Sequence, residues 1–441
     1  MAKITPFRGI VYNQAAAGDI NTLVCPPYDI ISPADQQELY GKSPYNVIQL
    51  EYGREAAGDS AGKDRYTRAA ALFQGWQQQG ILQRNDRPAI YVYEMQYPHG
   101  DAVRKLRGFI CQIRIEDFDS GVVLPHENTL SGPKADRLNL LRACQANFSQ
   151  IFSLFSDPSG TISDVLSKIS GLPEMEAAGE NNVLHRLWTL TDPAVIETIT
   201  RAMADKPFFI ADGHHRYETA LNYRNERRAA AGTFTGDEPY NFVTMYLARL
   251  EDPGLTILPA HRALFSLPGF SADSFEEGLH KYFDMERLDF DAASEATARR
   301  TMLDTMAARA ARSRIFGMRM QGRNSYYLLT LRSEEDMDRL LSGKSSAYRR
   351  LDVSILHHLI IDKLLGVGID THKLGKNIEY IKDADEAVKR LDDGKAKIIV
   401  FMNPTKVGEV KAVAGAGERM PQKATYFYPK LLTGLVMHRL D

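Results

Sequence analysis

Cysteine is scarce: three residues in 441, Cys25, Cys111 and Cys144, odd in number and far apart. No CxxC pair and no zinc-type Cys/His spacing accompanies them, so neither a disulfide framework nor a structural zinc site is indicated. No run approaches the ~18 apolar residues of a membrane span. The nearest candidate, ILHHLIIDKLLGVGI, is interrupted by His, Asp and Lys. The opening segment MAKITPFRGIVYNQ lacks an apolar signal core and reads as a short strand, which points to a cytoplasmic protein. Neither sign of charge dominates. Fifty-four Lys plus Arg stand against 56 Asp plus Glu, a net charge of −2. No global basic field exists to hold a polyanion, so nucleic acid is not an expected partner and neither is a membrane. The Walker GxxxxGK[ST] pattern is missing, AGAGE lacks the third glycine of a Rossmann fingerprint, and no GxSxG elbow occurs. A nucleotide, if one is handled, is not held by either common cradle.

What is present is an ordinary globular mix, 44% hydrophobic and 25% charged. At about 150 residues per domain the length suggests roughly three structural units. Helix and strand signals alternate throughout. Residues 60–82 read as one amphipathic helix closed by Gly80, followed by strands Ala89–Tyr97 and Arg107–Ile115 across the turn residues PHGD. A second helical block is expected from Pro133 to about Phe155, and 160–182 reads as a polar, helix-like elaboration. Pro207–Ala211 has the look of a short buried strand. After Pro268 come a helix at 274–283, a hairpin of Ile315–Met320 with Tyr326–Leu331, a helix at 352–365, and a β-α-β-like passage at 378–402. The expected class is α+β. A soft boundary near residue 270 separates an N-terminal domain, 1–270, from a C-terminal α/β region, 271–441, whose tail is a candidate to return to the site.

The sharpest local signal is FFIADGHHRYETAL, residues 208–221. A buried strand runs into Gly213 and then into a helix, whose first N–H groups and partial positive charge suit a phosphate. His214, His215 and Arg216 add side-chain donors there, and Asp212 could cap the helix or face a magnesium ion bridging phosphates. The plain alternative is a capped helix with incidental histidines. The second signal is LPHENTLSGPKADRLNLLRACQANF, residues 124–148. It is not a zincin motif. Lys134, Arg137, Leu141, Cys144 and Phe148 step by three and four, so a core-facing stripe begins with two cations. They need anionic company, either a carboxylate or a substrate phosphate. Glu127, with His126 beside it, is the best-placed carboxylate for general-base work. Three further segments carry weaker signals: VCPPYDII (24–31), which reads mainly as a rigid turn presenting Tyr28 and Asp29; ILPAHRALF (257–265) with His261 and Arg262; and GERMPQKATYFYPKLLTGL (417–435) with Lys423 and Lys430.

CPPYDII, PHENT with GPKADR, ADGHHRYETA, ILPAHR and MPQKATYFYPKLLTGL in this order resemble the bacterial and archaeal family called domain of unknown function 1015, over nearly the whole chain. Ala424 stands where Ser is expected. The DGHHR turn also resembles the phosphate-binding turn of the ParB/sulfiredoxin-like superfamily, in which free serine kinases use a turn of this type. That resemblance implies a ParB/sulfiredoxin-like nucleotide-binding core with large insertions. It implies that Asp212, Gly213, His214, His215 and Arg216, with Lys134 and Arg137, hold nucleotide phosphates. Glu127, His126 and His215 become the catalytic candidates, Asp212 and Glu127 the metal ligands, and ATP or ADP with Mg²⁺ the cofactors.

The leading expectation is therefore a phosphotransferase acting on a small hydroxyl metabolite, with free L-serine first. Two alternatives stand beside it. One is a nucleotide-responsive binding module. The other is a metal-dependent phosphohydrolase with His126, Glu127, Asp212, His214 and His215 as ligands. Homo-oligomerisation is left open by the sequence.

Overall fold

The computed structural model describes residues 2–368 and 377–440. They form two compact units that interleave along the chain. The first comprises residues up to Pro125, Thr129–Thr256 and the return segment from Pro429; the second comprises His126–Asn128 and Ile257–Tyr428.

The first unit is built on a nine-stranded mixed sheet. Its strands are β1 (Ile4–Thr5), β2 (Ile90–His99), β3 (Ala102–Arg114), β4 (Val123–Leu124), β5 (Ile151–Phe155), β6 (Met175–Ala178), β7 (Leu184–Leu190), β8 (Phe208–Asp212) and β9 (Phe242–Arg249). The order is β4-β8-β5-β9-β3-β2-β7-β6, with β1 pairing off this path against β3. Pairs β4–β8 and β5–β9 are parallel and the remainder antiparallel. The expected hairpin is present as β2–β3, turning at His99 and Ala102 with Gly100 at φ 58°. Strands β5, β8 and β9 are nearly continuous apolar runs because helices and loops cover both faces. The core gathers Val92, Phe109, Ile113, Phe155, Phe208, Ile210, Tyr217 and Met245.

Three helices of this unit matter for the site: α1 (Arg65–Gln78), α2 (Ser131–Cys144) and α3 (His214–Ala231). Helix α1 starts later than its periodicity suggests because Asp64 accepts from the N–H groups of Tyr66 and Thr67 and closes a capping box with Thr67. The helical block expected from Pro133 to Phe155 is corrected by the structure. Helix α2 ends at Cys144, where Gln145 takes a left-handed φ of 47°, and the chain turns into β5. A short apolar run such as IFSLF cannot be told from buried helix by periodicity. The stripe drawn to Phe148 therefore stops at Cys144. Residues 160–182 hold only a short helix, Thr161–Ser167, before the edge strand β6.

The second unit carries a six-stranded sheet of β10 (His261–Leu264), β11 (Phe283–Asp289), β12 (Ile315–Met320), β13 (Ser325–Leu331), β14 (Ile378–Ile381) and β15 (Ile398–Phe401). Their order is β11-β13-β12-β15-β10-β14, antiparallel throughout. Helices α4 (Glu295–Arg309) and α5 (Ala384–Asp392) supply Met302, Met306, Ala387, Val388 and Leu391 to the core on one face. The expected hairpin is β12–β13. The β-α-β passage is β14-α5-β15, with β10 inserted between its two strands. No described helix is long and apolar enough to cross a membrane.

Candidate functional site

In the first unit β8 runs through Asp212 into Gly213 and directly into α3. Gly213 sits at φ 93°, ψ 28°, and a Cβ there would lie 3.0 Å from Arg216 Nε. Only glycine accepts that backbone without strain, and only glycine lets the Arg216 guanidinium lie back against the turn. Asp212 holds two cations: Oδ2 accepts from Arg216 Nη2 at 2.9 Å and Oδ1 from Lys430 Nζ at 2.7 Å. Arg216 Nη1 donates to the Gln150 carbonyl at 2.5 Å, while its Nε is buried with no hydrogen-bond partner among the described residues. The side chains of Asp212, Arg216 and Lys430 are all less than a fifth exposed.

The first turns of α3 also hold the entrance to α2. His215 Nε2 accepts from the N–H of Leu130, the residue that precedes α2, at 2.9 Å. A ring nitrogen that accepts there carries no proton, so this bond requires neutral imidazole protonated on Nδ1. Glu218 Oε2 accepts from Thr129 Oγ1 at 2.6 Å and Lys134 Nζ at 2.9 Å. Lys134 thus meets a carboxylate. His214 is buried at the head of the helix.

Arg137 also meets carboxylates, and is almost fully buried. Its Nη1 bonds the Glu51 carbonyl at 2.7 Å and Glu51 Oε1 at 3.3 Å; Nε and Nη2 bond Asp136 Oδ2 at 2.8 and 2.6 Å. The guanidinium lies 4.1 Å from the Tyr28 ring centroid. Burial pushes the Tyr28 phenol up, and the neighbouring Arg137 and Arg216 pull it back. CPPYD, the α2 cations and the DGHHR turn therefore meet around one place. A cavity of about 50 Å³ lies there, walled by Glu51, Arg137, Phe148, Ser149, Arg216 and Thr219 among others. The sequence reading did not single out Glu51, Ser149 or Gln150. The signal for Glu51 is faint: one carboxylate directly after the apolar VIQL of a four-residue helix, Ile48–Glu51.

His126 and Glu127 belong to the second unit. There the His126 carbonyl accepts from the Met420 N–H at 2.7 Å, its Nε2 pairs with Thr425 Oγ1 at 2.8 Å, and its ring packs edge-on against Phe427. Glu127 Oε1 accepts from the Lys423 N–H at 3.0 Å. Both residues are thus knitted into the MPQKATYF loop. Arg262 of ILPAHR is wholly buried nearby, bonding the Lys423 carbonyl at 3.0 Å and lying 4.6 Å from the Tyr380 ring centroid. Burial brings its guanidinium down to about 10, with Tyr380 and Glu127 opposing. His261, held neutral by burial with Arg262 adding to the effect, is lowered to about 4.

As a magnesium ligand Asp212 does not fit this arrangement, since each of its oxygens already carries a cation. Among the described residues no three His, Cys, Asp or Glu side chains converge on a metal position.

Residues 4–354 match the family described as protein of unknown function (DUF1015). Among solved structures, a conserved hypothetical protein from Pyrococcus furiosus is similar at 11% identity, over 74% of this chain and 94% of that one, with a TM-score of 0.32. A free serine kinase variant in complex with AMP is 12% identical over 73% of this chain and 90% of its own, with a TM-score of 0.33. SbnI with a C-terminal truncation, from Staphylococcus aureus, is 12% identical over 72% and 84%, with a TM-score of 0.33. No curated protein matches the chain.

Proposed function

Since the chain belongs to the DUF1015 family, whose description assigns no activity, we propose a function from the chemistry of the site: a nucleotide-dependent phosphotransferase acting on a small hydroxyl metabolite, with free L-serine the leading acceptor. The observation that carries this reading is the setting of Arg216. It stands in the first turn of an 18-residue helix, braced by Asp212 and the Gln150 carbonyl, with Nε buried and unpartnered. A buried N–H of a cation left without an acceptor is costly, and a phosphate oxygen is the acceptor a guanidinium fits best. The helix N-terminus adds about half a positive charge at the same spot. Phosphoryl transfer asks for positioning and charge stabilisation more than for covalent help from the protein, which suits such a turn.

The likeness of DGHHR to the turn of free serine kinases supports ATP or ADP as donor and a ParB/sulfiredoxin-like core around it. On this reading His214 and Gly213 take the phosphate end of the site. His215, Lys134 and Arg137 organise it from behind, since each is engaged by protein partners. Magnesium, brought in with the nucleotide, would neutralise phosphate charge.

The test is a thermal-shift screen of ATP, ADP, CTP and GTP with Mg²⁺, each with and without L-serine and phosphoserine, followed by transfer of labelled phosphate. A ligand at 100 times its Kd adds about 2.7 kcal/mol. A shift with one nucleotide, enlarged by serine or phosphoserine and accompanied by transfer, is expected. No shift with any nucleotide overturns the reading; binding without transfer to any acceptor makes the protein a nucleotide-responsive module instead.

A further inference from the structure

The cavity beside Arg216 has a second charged wall. Glu51 is 3% exposed, and its Oε1 accepts from Ser149 Oγ at 2.9 Å and from Arg137. Its Oε2 makes no hydrogen bond among the described residues. Around the DGHHR turn the half-buried carboxylates each hold a cation. Asp212 holds Arg216 and Lys430, Asp136 holds Arg65, Tyr66 and Arg137, and Glu218 holds Thr129 and Lys134. Glu51 is thus the carboxylate that shares a cavity with Arg216 and keeps an oxygen for something else.

The cavity's size limits what that can be. A water needs roughly 10–15 Å³ of such space, so about 50 Å³ takes a few waters or the hydroxymethyl end of a small molecule. Phe148, Leu140, Leu141 and Val243 supply apolar walls beside the polar Asn147, Ser149 and Thr219.

Resting on the phosphotransferase reading, we propose that this cavity receives the acceptor as a primary alcohol and that Glu51, in place of the Glu127 expected from the sequence, is the catalytic base. The acceptor's hydroxyl proton passes to Glu51 Oε2. The alcohol oxygen forms a bond to the terminal phosphorus of the nucleotide. The bond from that phosphorus to its bridging oxygen breaks, and the electron pair leaves with the shortened nucleotide. Ser149 and Arg137 hold the carboxylate in place through Oε1, and Arg216 meets the phosphoryl group in transit.

The experiment compares the full-length protein with Glu51→Gln and Glu51→Asp, using Mg-ATP or Mg-ADP as donor and L-serine, L-threonine and glycerol as acceptors. Expected are nucleotide affinity within threefold of wild type in Glu51→Gln, transfer to L-serine lowered at least 100-fold, and partial recovery in Glu51→Asp. The acidic limb of the wild-type kcat/KM profile should vanish in Glu51→Gln, which a merely structural residue would not cause. L-threonine, a secondary alcohol, should be at least tenfold poorer than L-serine. Transfer by Glu51→Gln within threefold of wild type overturns the role of Glu51 and leaves the phosphotransferase reading standing. Loss of nucleotide binding and transfer together in both variants also overturns it, making Glu51 structural. A wild-type protein that binds no nucleotide overturns both.

Discussion

Replacing Arg137 with methionine tests whether a buried ion pair, and not packing alone, holds the site together. Arg137 and Glu51 are each about 5% exposed or less, with nitrogen and oxygen 3.3 Å apart. At an effective dielectric near 20 the attraction is roughly 5 kcal/mol. Desolvation consumes much of that when the pair forms, but removing one partner leaves the other charge buried alone, which costs about 3–5 kcal/mol. Losing the cation–π contact with the Tyr28 ring adds about 1 kcal/mol. Urea unfolding followed by tryptophan fluorescence reads this unit selectively, because both tryptophans, Trp76 and Trp188, lie in it. Arg137→Met should lose about 3–5 kcal/mol. Adding Glu51→Gln to that background should restore stability or leave it unchanged, because it removes the stranded charge. If Glu51→Gln instead costs the same in both backgrounds, within the ~0.5 kcal/mol of additive sites, Arg137 and Glu51 are not coupled.

Gly213→Ala should destabilise the first unit by about 1–2 kcal/mol from its positive φ and shift the guanidinium of Arg216, so nucleotide affinity should fall with it; equal affinity would disconnect the turn from binding. Arg216→Ala should abolish nucleotide binding while Asp212 keeps Lys430, so the fluorescence-detected fold should survive. In the second unit, burial raises the Asp352 carboxyl to about 7, with Arg314 opposing and Glu409 assisting. Folded Asp352 then keeps a proton that the unfolded chain gives up, so stability falls as pH rises from about 4 to about 7, by up to about 1.4 kcal/mol per unit. Asp352→Asn should flatten that slope in calorimetry between pH 4 and 7; an unchanged slope assigns it elsewhere.

Much of the architecture was legible because its signals are local. The β2–β3 hairpin announces itself through strand-like runs on either side of PHGD, and the strand-to-helix passage at DGHHR through a short apolar run ending in glycine. The end of α2 was not legible, because IFSLF reads equally as helix or buried strand and nothing in Gln145 advertises a left-handed turn. At the site the same division holds. Asp212 and Arg216 were visible because they cluster in sequence. Glu51 was not, because its meaning comes from Arg137, 86 residues away along the chain, and from the Ser149 hydroxyl beyond it. The cations of α2 could be read as seeking an anion, but which anion depended on Glu51 and Glu218, and long-range pairing leaves no periodic mark.

The return of the last segment to the first unit has a consequence for how the protein is made. Lys430 grips Asp212, and the Val436 carbonyl accepts from Gln150 Nε2, beside a sheet whose nine strands are all translated before residue 257. The ribosome must therefore deliver the entire intervening unit before the turn at Gly213 acquires its last brace. A chain that stalls anywhere in residues 257–428 can have made every strand of the large sheet and still lack a finished site.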